Sequence, residues 1–290
     1  MLHLSVLLAG FTGVFGRLIE INAGLITWYR LFFSAIFLFL IFRATGRLQK
    51  ESNINIVRIG FVGLLLALHW VFFYASIKFS NISIGVVCFS LGGFFTALIE
   101  PLMNRRQHSI PELILSSLTL CGIALIFGLD TTYRFGIMLG TISSLIVTFY
   151  TIYNKRLTRS FGSVTITTYT MIGGWIGLSL LMPFYLFVEP SATLIPSARD
   201  TGYLLILALV CTVLMYLMIT EALQKISAFT VNLSFNLEPL YSIVLAIIIY
   251  RENAELSWAF YIGLTLIVFS VVLQMYRVIR QKQLATADIK

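Results

Sequence analysis

Ten apolar segments, each close to twenty residues long, follow one another along the 290-residue chain. A helix needs about 20 apolar residues to cross the roughly 30 Å hydrocarbon core of a bilayer. The segments cover residues 2–20, 23–42, 57–77, 82–103, 111–129, 135–154, 164–188, 202–223, 228–250 and 256–276. This pattern predicts an all-α integral membrane protein with ten transmembrane helices.

The composition supports a membrane protein over a soluble one. Hydrophobic residues make up 59% of the chain and charged residues only 11%, whereas a soluble domain carries about 25% charged residues. The longest connections, residues 43–56 and 189–201, leave no room within these residues for a soluble catalytic domain. The first segment has no Lys or Arg before its apolar run, so we interpret it as a retained helix and not as a signal peptide.

The net charge of +8 is explained by orientation in a membrane, and it does not require a nucleic-acid partner. With the N-terminus in the cytoplasm, 14 of the 20 Lys and Arg residues lie on the cytoplasmic side, 5 lie outside and Arg30 lies within a segment. Positive residues concentrate on the cytoplasmic side of membrane proteins. We therefore expect a multi-pass protein of the cytoplasmic (inner) membrane with both termini in the cytoplasm.

Motifs for catalysis or cofactor binding are missing from the sequence. The three cysteines, Cys88, Cys121 and Cys211, fall within predicted helices, and no CxxC or Cys/His cluster occurs. No phosphate-binding glycine loop or nucleophile motif stands out. The sequence therefore predicts neither an enzyme nor an ATP-driven pump, and it predicts no metal and no cofactor.

A shift of 147 residues superposes residues 75–98 on residues 222–245. Both windows hold a charged turn between two apolar segments, and four of their 24 positions are identical. Each half then has five helices, and an odd number turns the second half upside down relative to the first. Inverted repeats of this kind are common in secondary transporters. We expect one five-helix repeat in residues 1–130 and another in residues 131–290, which ends in a short cytoplasmic tail.

The repeat also aligns two weak points in helices. Glu238-Pro239 falls on Leu91-Gly92, and Gly93 follows. Proline and glycine both loosen a helix. Irregular backbone at membrane depth is tolerated only where it is buried in protein or faces water. We predict hinges at Pro239, Gly92 and Gly93, beside a central cavity.

Four stretches carry a family resemblance that extends from about Leu7 to Tyr276. They are "LEPLYSIVLAIIIYRE", "TWYRLFFSAIFLFLIF", "YASIKFSNISIGVV" and "FGIMLGTISSLIVTFYTIYNKRL". With these motifs the chain resembles the drug/metabolite transporter superfamily, in its ten-helix EamA-like branch. The resemblance implies two inverted halves and export of small metabolites, amino acids or drugs. The chain departs from the family in its first half. A proline is usual at the position of Gly92, whereas here the Glu100-Pro101 pair comes later in the chain.

Glu238 is the first candidate for the transport pathway. An ionised acid at the centre of a membrane helix costs about 2.5–3.5 kcal/mol on insertion scales. It must face a cavity, pair with a cation or be protonated, so it either carries a proton or substrate or is a neutral group hydrogen-bonded between helices. Ser234 and Tyr241 share its helix face, and Asn232 and Asn236 form a second polar stripe nearby.

Two further charged residues need an explanation. Arg30 lies within the second segment and could snorkel to the outer surface, pair with Glu238 or hold a substrate carboxylate in a bidentate fork. Glu100 lies near the end of its helix, where we expect an ion pair with Arg105.

The remaining candidates are polar or aromatic residues within the segments. His69 could relay protons or could simply pack, and Thr141, Ser144, Thr148 and Thr151 form a stripe that could line a path or a helix interface. An aromatic cavity wall is predicted from six residues, and it would favour apolar or cationic solutes. They are Trp70, Tyr74, Tyr150, Tyr153, Trp175 and Tyr241.

The function that these features predict is export of a small organic solute by alternating access. Three alternatives stay open: a passive facilitator without proton coupling, a membrane scaffold or sensor that transports nothing, and a lipid flippase. The expected partners are a small-molecule substrate and the lipid bilayer, whereas proton coupling and a homodimer are left open.

Overall fold

The computed structural model of the chain describes residues 1–129, 132–190, 193–235, 237–254 and 256–287. No β-strand occurs within these ranges, which confirms the prediction of an all-α protein. A π-helix, Leu209–Leu214, joins α9 to α10, and a 3₁₀ turn, Glu252–Ala254, follows α12. The α-helices are, in chain order, α1 Leu2–Leu18, α2 Ala23–Ala44, α3 Asn53–Phe79, α4 Ile82–Phe89, α5 Leu91–Asn104, α6 Ile110–Leu129, α7 Arg134–Leu157, α8 Ser163–Val188, α9 Ala198–Ala208, α10 Met215–Lys225, α11 Ala228–Phe235, α12 Glu238–Tyr250 and α13 Trp258–Ala287.

Seven helical stretches in the described part of the chain are long and apolar enough to cross a membrane. They are Ala23–Ala44, Asn53–Phe79, Ile82–Asn104, Arg134–Leu157, Ser163–Val188, Ala198–Lys225 and Trp258–Arg277. Three shorter apolar helices, Leu2–Leu18, Ile110–Ile126 and Glu238–Tyr250, accompany them. The structure thus supports a multi-pass membrane protein, and the number of ten spans stays a prediction.

The helix ends differ from the predicted boundaries where local hydrogen bonds decide them. The eighth predicted segment starts four residues early, at Ala198, because the Ser197 side chain accepts a hydrogen bond from the Asp200 backbone N–H and caps the helix. Helix α3 starts at Asn53 and not at residue 57, without a hydrogen bond from a capping side chain. The last helix continues past residue 276 to Ala287, through Arg, Gln, Lys, Leu and Ala residues that favour helix.

Two of the predicted segments are interrupted helices. The fourth is split at Ser90, between α4 and α5, and in the ninth α11 ends at Phe235 and α12 begins at Glu238. Pro239 lies in the first turn of α12. Backbone N–H groups in a first turn have no acceptor within the helix, so the N–H that proline lacks is not needed there. Gly92 and Gly93 lie in the first turn of α5. All three predicted hinge residues therefore come directly after an interruption, and their flexibility stays a prediction.

Glycines bring α3 close to α8. A Cβ at Gly63 would overlap the Thr170 carbonyl oxygen, and a Cβ at Gly173 would overlap the backbone of Gly60. Small residues at such contacts let membrane helices approach and gain van der Waals packing. Further along α3, His69 and Trp70 line the cavity at the centre of the bundle.

Candidate functional site

A small cavity lies at the centre of the bundle, between α1, α2, α3, α4, α10, α11 and α12. Its polar lining comes from Thr12, Arg30, His69, Tyr216 and Glu238, and the rest of the wall is apolar. The volume is about 30 Å³, whereas pockets for drug-sized ligands measure about 300–1,000 Å³. The cavity has room for water-sized molecules, and the helices must part before an organic solute fits.

Arg30 is fully buried beside this cavity and held by three hydrogen bonds. Its Nε donates to Thr212 Oγ1 at 2.6 Å, Nη1 donates to the Tyr74 hydroxyl at 2.8 Å, and Nη2 donates to the Cys211 carbonyl at 2.8 Å. Its guanidinium lies 3.7 Å from the centroid of the Trp70 ring, in a cation–π contact. Arg30 therefore does not snorkel to the surface, contrary to that alternative.

The π-helix supplies two of the three acceptors that hold Arg30. Thr212 Oγ1 donates to the Leu207 carbonyl, five residues earlier, at 2.8 Å while it accepts from Arg30. The wider turn leaves the Cys211 carbonyl available to the guanidinium. Single π-turns inside helices occur frequently at functional sites. The π-helix was not predicted from the sequence, because a Cys-Thr pair is the only irregularity in this apolar run.

Glu238 is the first residue of α12, and its side chain faces the central cavity with 4% of its surface exposed. No hydrogen bond or ion pair joins its carboxylate to any residue that the structure describes, so neither pairing with Arg30 nor bonding between helices is formed. The Thr12 hydroxyl in the same cavity is also without a described partner. Buried polar groups are normally satisfied, and these two are exceptions that lie in the same cavity. The neighbouring candidate Asn236 lies outside the described residues.

His69 also faces the cavity but is anchored from behind. Its Nδ1 lies 2.7 Å from Ser143 Oγ and 3.1 Å from the Ser143 carbonyl, and Ser143 Oγ donates to the His69 carbonyl at 2.9 Å. The ring packs against Phe73 and Phe89. This fixes α3 to α7, and it leaves the second ring nitrogen for the cavity side.

Asn232 joins three helices beside the cavity. Its amide Nδ2 donates to Thr96 Oγ1 at 2.7 Å, and its Oδ1 accepts from Thr151 Oγ1 at 3.1 Å. This network connects α11 to α5 and α7 across a buried interface.

The polar stripe on α7 packs against the interrupted helix α4–α5. Thr148 Oγ1 donates to the Ser144 carbonyl at 2.9 Å and lies 3.4 Å from the Gly92 carbonyl. Ser144 Oγ donates to the Cys88 carbonyl at 2.7 Å. The stripe therefore acts at a helix interface and supplies hydrogen bonds next to the interruption at Ser90.

Two predicted pathway residues lie away from the cavity. The Tyr241 side chain is 39% exposed, next to Gly10 of α1. Trp175 packs between α2 and α8, with ring centroids 5.9 Å from Trp28 and 5.5 Å from Phe32. Tyr241 follows Glu238 by three residues within α12, about 60° around the helix axis, and this rotation turns its side chain from the cavity toward the exposed side.

Glu252 is a buried acid whose role sequence reasoning missed. It lies in the 3₁₀ turn after α12, is fully buried, and accepts four hydrogen bonds. Arg17 Nη1 donates at 2.5 Å, the backbone N–H groups of Ile82 and Ser83 donate at 3.0 Å each, and Ser83 Oγ donates at 2.6 Å. The carboxylate thus caps the N-terminus of α4 and fixes α12 to α1 and α4.

Glu100 makes the corresponding contact elsewhere in the bundle. Its Oε2 accepts a hydrogen bond from the Phe229 backbone N–H at 3.2 Å, at the N-terminus of α11. The expected ion pair with Arg105 is not formed; Arg105 instead ends α5 as an exposed residue with a left-handed φ of 51°.

Over the described ranges, no three His, Cys, Asp or Glu residues converge in a way that could hold a metal.

Three comparisons with known proteins bear on the family and the fold of the chain. The sequence model of the EamA-like transporter family matches residues 1–128 and 134–276. A Bacillus subtilis (strain 168) protein called uncharacterized transporter YxxF is 20% identical over 250 residues, which cover 83% of this chain and 78% of that protein. One crystal structure superposes with a TM-score of 0.65 at 16% identity, over 92% of this chain and 93% of the other. At that identity the superposition shows a shared fold only.

Proposed function

Because the chain belongs to the EamA-like transporter family, we propose that it is a secondary transporter that exports small organic metabolites from the cell by alternating access. Membership of a membrane transporter family implies a lipid bilayer around the protein and a small-molecule substrate. Amino acids, drugs and related solutes are the substrate classes we propose. The proposed location is the inner membrane, with both termini in the cytoplasm, and the proposal assigns no enzymatic activity.

The observation that carries this proposal is the unpaired Glu238 carboxylate in the central cavity. A buried acid without a partner costs free energy, so a role in function is its simplest explanation. The cavity receives helices from both proposed halves, α1 to α4 from the first and α10 to α12 from the second. We propose that Glu238 binds a proton or a cationic group of the solute, and that Thr12 and His69 complete the polar wall.

Two inverted repeats of five membrane spans are the proposed architecture, with the division between residues 130 and 131. The three shorter apolar helices would complete the ten spans, with α12 as the second part of the span that α11 begins. Corresponding features of the two interrupted helices, separated by 146 or 147 residues in each case, support the repeat. They are the N-caps Asn81 and Ser227, the interruptions at Ser90 and Leu237, and the left-handed arginines Arg105 and Arg251.

The two acids that cap opposite helices support alternating access. Glu252, at the end of the second interrupted helix, caps the first one, and Glu100, near the end of the first, caps the second. Glu252 has four hydrogen bonds in full burial, whereas the structure gives Glu100 one. In the proposed orientation the Glu252 contact lies on the outer side and the Glu100 contact lies on the cytoplasmic side.

The alternative transport mechanism is passive facilitation, in which Glu238 does not couple solute movement to a proton. A scaffold or sensor is the alternative outside transport, and it gives no reason for an unpaired carboxylate in a central cavity. Proton coupling and a homodimer remain proposals that need their own measurements.

A solute screen in proteoliposomes tests the proposed function. Purified protein is reconstituted and loaded with radiolabelled amino acids or amphipathic metabolites, and efflux is compared with that from protein-free liposomes. We expect saturable flux for at least one class, accelerated by unlabelled solute on the opposite side. If the folded protein gives no flux above empty liposomes for any class, the scaffold alternative replaces this proposal.

A further inference from the structure

A second cavity, of about 250 Å³, lies where α5, α7 and α10 end and α11 begins. We call it the basic vestibule. Five cationic side chains and one carboxylate make up its charged lining. They are Arg106, Lys155, Arg156, Arg159, Lys225 and Glu100.

Two of the five cations already have a structural task. Lys155 Nζ donates to the Leu223 carbonyl and, at 2.7 Å, to the Ile226 carbonyl. Arg156 Nη2 donates to the Met103 carbonyl at 2.5 Å. These bonds satisfy carbonyl groups at the ends of α10 and α5, which otherwise lack helical partners.

The other three cations have no such task. Arg106, Arg159 and Lys225 are exposed, and none of their side chains makes a hydrogen bond or ion pair with a residue in the described part of the chain. The one carboxylate, Glu100, is engaged by the Phe229 backbone N–H. On a solvated helix face such charges would lie apart. Here three chain segments bring them to one concave space, and a cleft lined by charges of one sign strengthens the local electrostatic potential.

From this arrangement we propose that the basic vestibule binds an anionic group, either carboxylate or phosphate. Arginine and lysine are the residues that recognise such groups, and their bonds to anions are stronger than neutral hydrogen bonds. The group can belong to a soluble solute or to the headgroup of an anionic lipid, because basic pockets between membrane helices bind such headgroups as well.

If the anionic group belongs to a soluble solute, the vestibule is a first binding site for the transported substrate. This version of the inference rests on the proposed function. Helix α11 begins at the vestibule with the Ser227 cap and ends at the central cavity with Phe235. The hydrogen-bonded network of Asn232, Thr96 and Thr151 lies between them. A solute with an anionic group would bind in the vestibule first and pass along this interface when the helices part.

A binding measurement tests the proposal without transport. The full chain is placed in nanodiscs of phosphatidylcholine, and its unfolding temperature is measured while phosphate replaces chloride at constant ionic strength. A second arm adds phosphatidylglycerol to the nanodiscs without phosphate. The test variant is Arg106→Gln/Arg159→Gln/Lys225→Gln, and the matched control, Arg47→Gln/Lys50→Gln/Arg58→Gln, removes three exposed charges elsewhere.

We expect a saturable rise in the unfolding temperature in one arm, with binding about tenfold weaker in the test variant and unchanged in the control. A phosphate response identifies a soluble anion, and a response to phosphatidylglycerol alone identifies a lipid headgroup. Glu100→Gln should tighten binding several-fold by removing the competing negative charge, and Arg159→Gln alone provides a milder variant if the triple variant does not fold.

The proposal is overturned if neither ligand stabilises the wild type, or if the test and control variants respond equally. Both results are independent of the transport function. A chain that transports a solute but ignores both ligands loses only the vestibule proposal, whereas a chain that binds phosphate but transports nothing loses the proposed function.

Discussion

Glu238 and Glu252 show how differently one chain treats two buried acids. Glu252 accepts four hydrogen bonds, one from an arginine, whereas Glu238 faces the central cavity without a described partner. A saturated carboxylate fixes structure, and an unpaired one is available to a proton or ligand. Their surroundings, more than the identity of the residue, therefore separate a structural glutamate from a candidate for transport.

Replacing Glu252 by alanine is expected to destabilise the protein strongly. The change leaves the Arg17 guanidinium and two backbone N–H groups of α4 without their acceptor, and breaking a buried pair of this kind costs about 3–5 kcal/mol. Chemical unfolding of the purified protein in detergent measures the change. Glu20→Ala is the control, because the Glu20 side chain is exposed. Equal stability of the two variants would show that Glu252 does not hold α4.

The sequence predicted which residues are buried better than it predicted their partners. A charge such as Arg30 inside an apolar segment was visible as an exception, but two of its three acceptors lie in a π-helix more than 180 residues away. Glu252 looked like a loop residue because it follows the last apolar residue of its segment. Contacts between distant segments decided both cases, and no local pattern encodes them.

At the scale of single helices, the interruptions at Ser90 and between Phe235 and Glu238 are the features to which we assign the proposed movement. Helices without such breaks resist bending because every turn is hydrogen-bonded. The sequence indicated both places through Pro239 and the glycine pair, and it did so because proline and glycine act on their own backbone. It gave no indication of the π-helix, whose segment contains neither residue.

Gly92→Ala separates flexibility from packing. A Cβ at Gly92 meets no atom within 4 Å, so the variant fits the structure, and alanine favours helix over glycine by about 0.5–1 kcal/mol. We expect an unfolding temperature equal to or above that of the wild type, together with solute flux that is about several-fold slower. Unchanged flux in proteoliposomes would remove Gly92 from the proposed hinge.

Gly63→Ala is the contrasting variant in α3. Its Cβ would overlap the Thr170 carbonyl oxygen and approach the Gly174 nitrogen. Because two backbones must separate, we expect a loss of about 1–3 kcal/mol of stability. An unfolding curve that matches the wild type would show that the α3–α8 contact is looser than the structure indicates.

For the whole molecule, the central cavity of about 30 Å³ describes a state in which no organic solute has access to Glu238. Apolar segment lengths and charge asymmetry predicted the fold class and a membrane orientation, since both follow from the bilayer as a solvent. Which surfaces close the centre depends on packing between segments far apart in the chain, such as Glu252 against α4.

Labelling of introduced cysteines tests the predicted orientation. Leu194 and Ser160 are both exposed, and the prediction places them on opposite sides of the membrane. With Cys121 replaced by alanine, we expect an impermeant maleimide to label Leu194→Cys in intact cells and Ser160→Cys only after permeabilisation. The reverse pattern would invert the orientation and place the basic vestibule outside.

We propose above all that Glu238, in the central cavity, couples solute movement to a proton. The most direct measurement is solute flux in proteoliposomes, with and without an imposed pH gradient, for wild type and Glu238→Gln. This substitution keeps the size of the side chain and removes its ability to ionise. We predict that the gradient accelerates flux in the wild type and has no effect in the variant, while the unfolding temperature of the variant stays within a few degrees. If the gradient accelerates solute flux equally in both proteins, Glu238 is not the coupling group and the proposed mechanism is wrong.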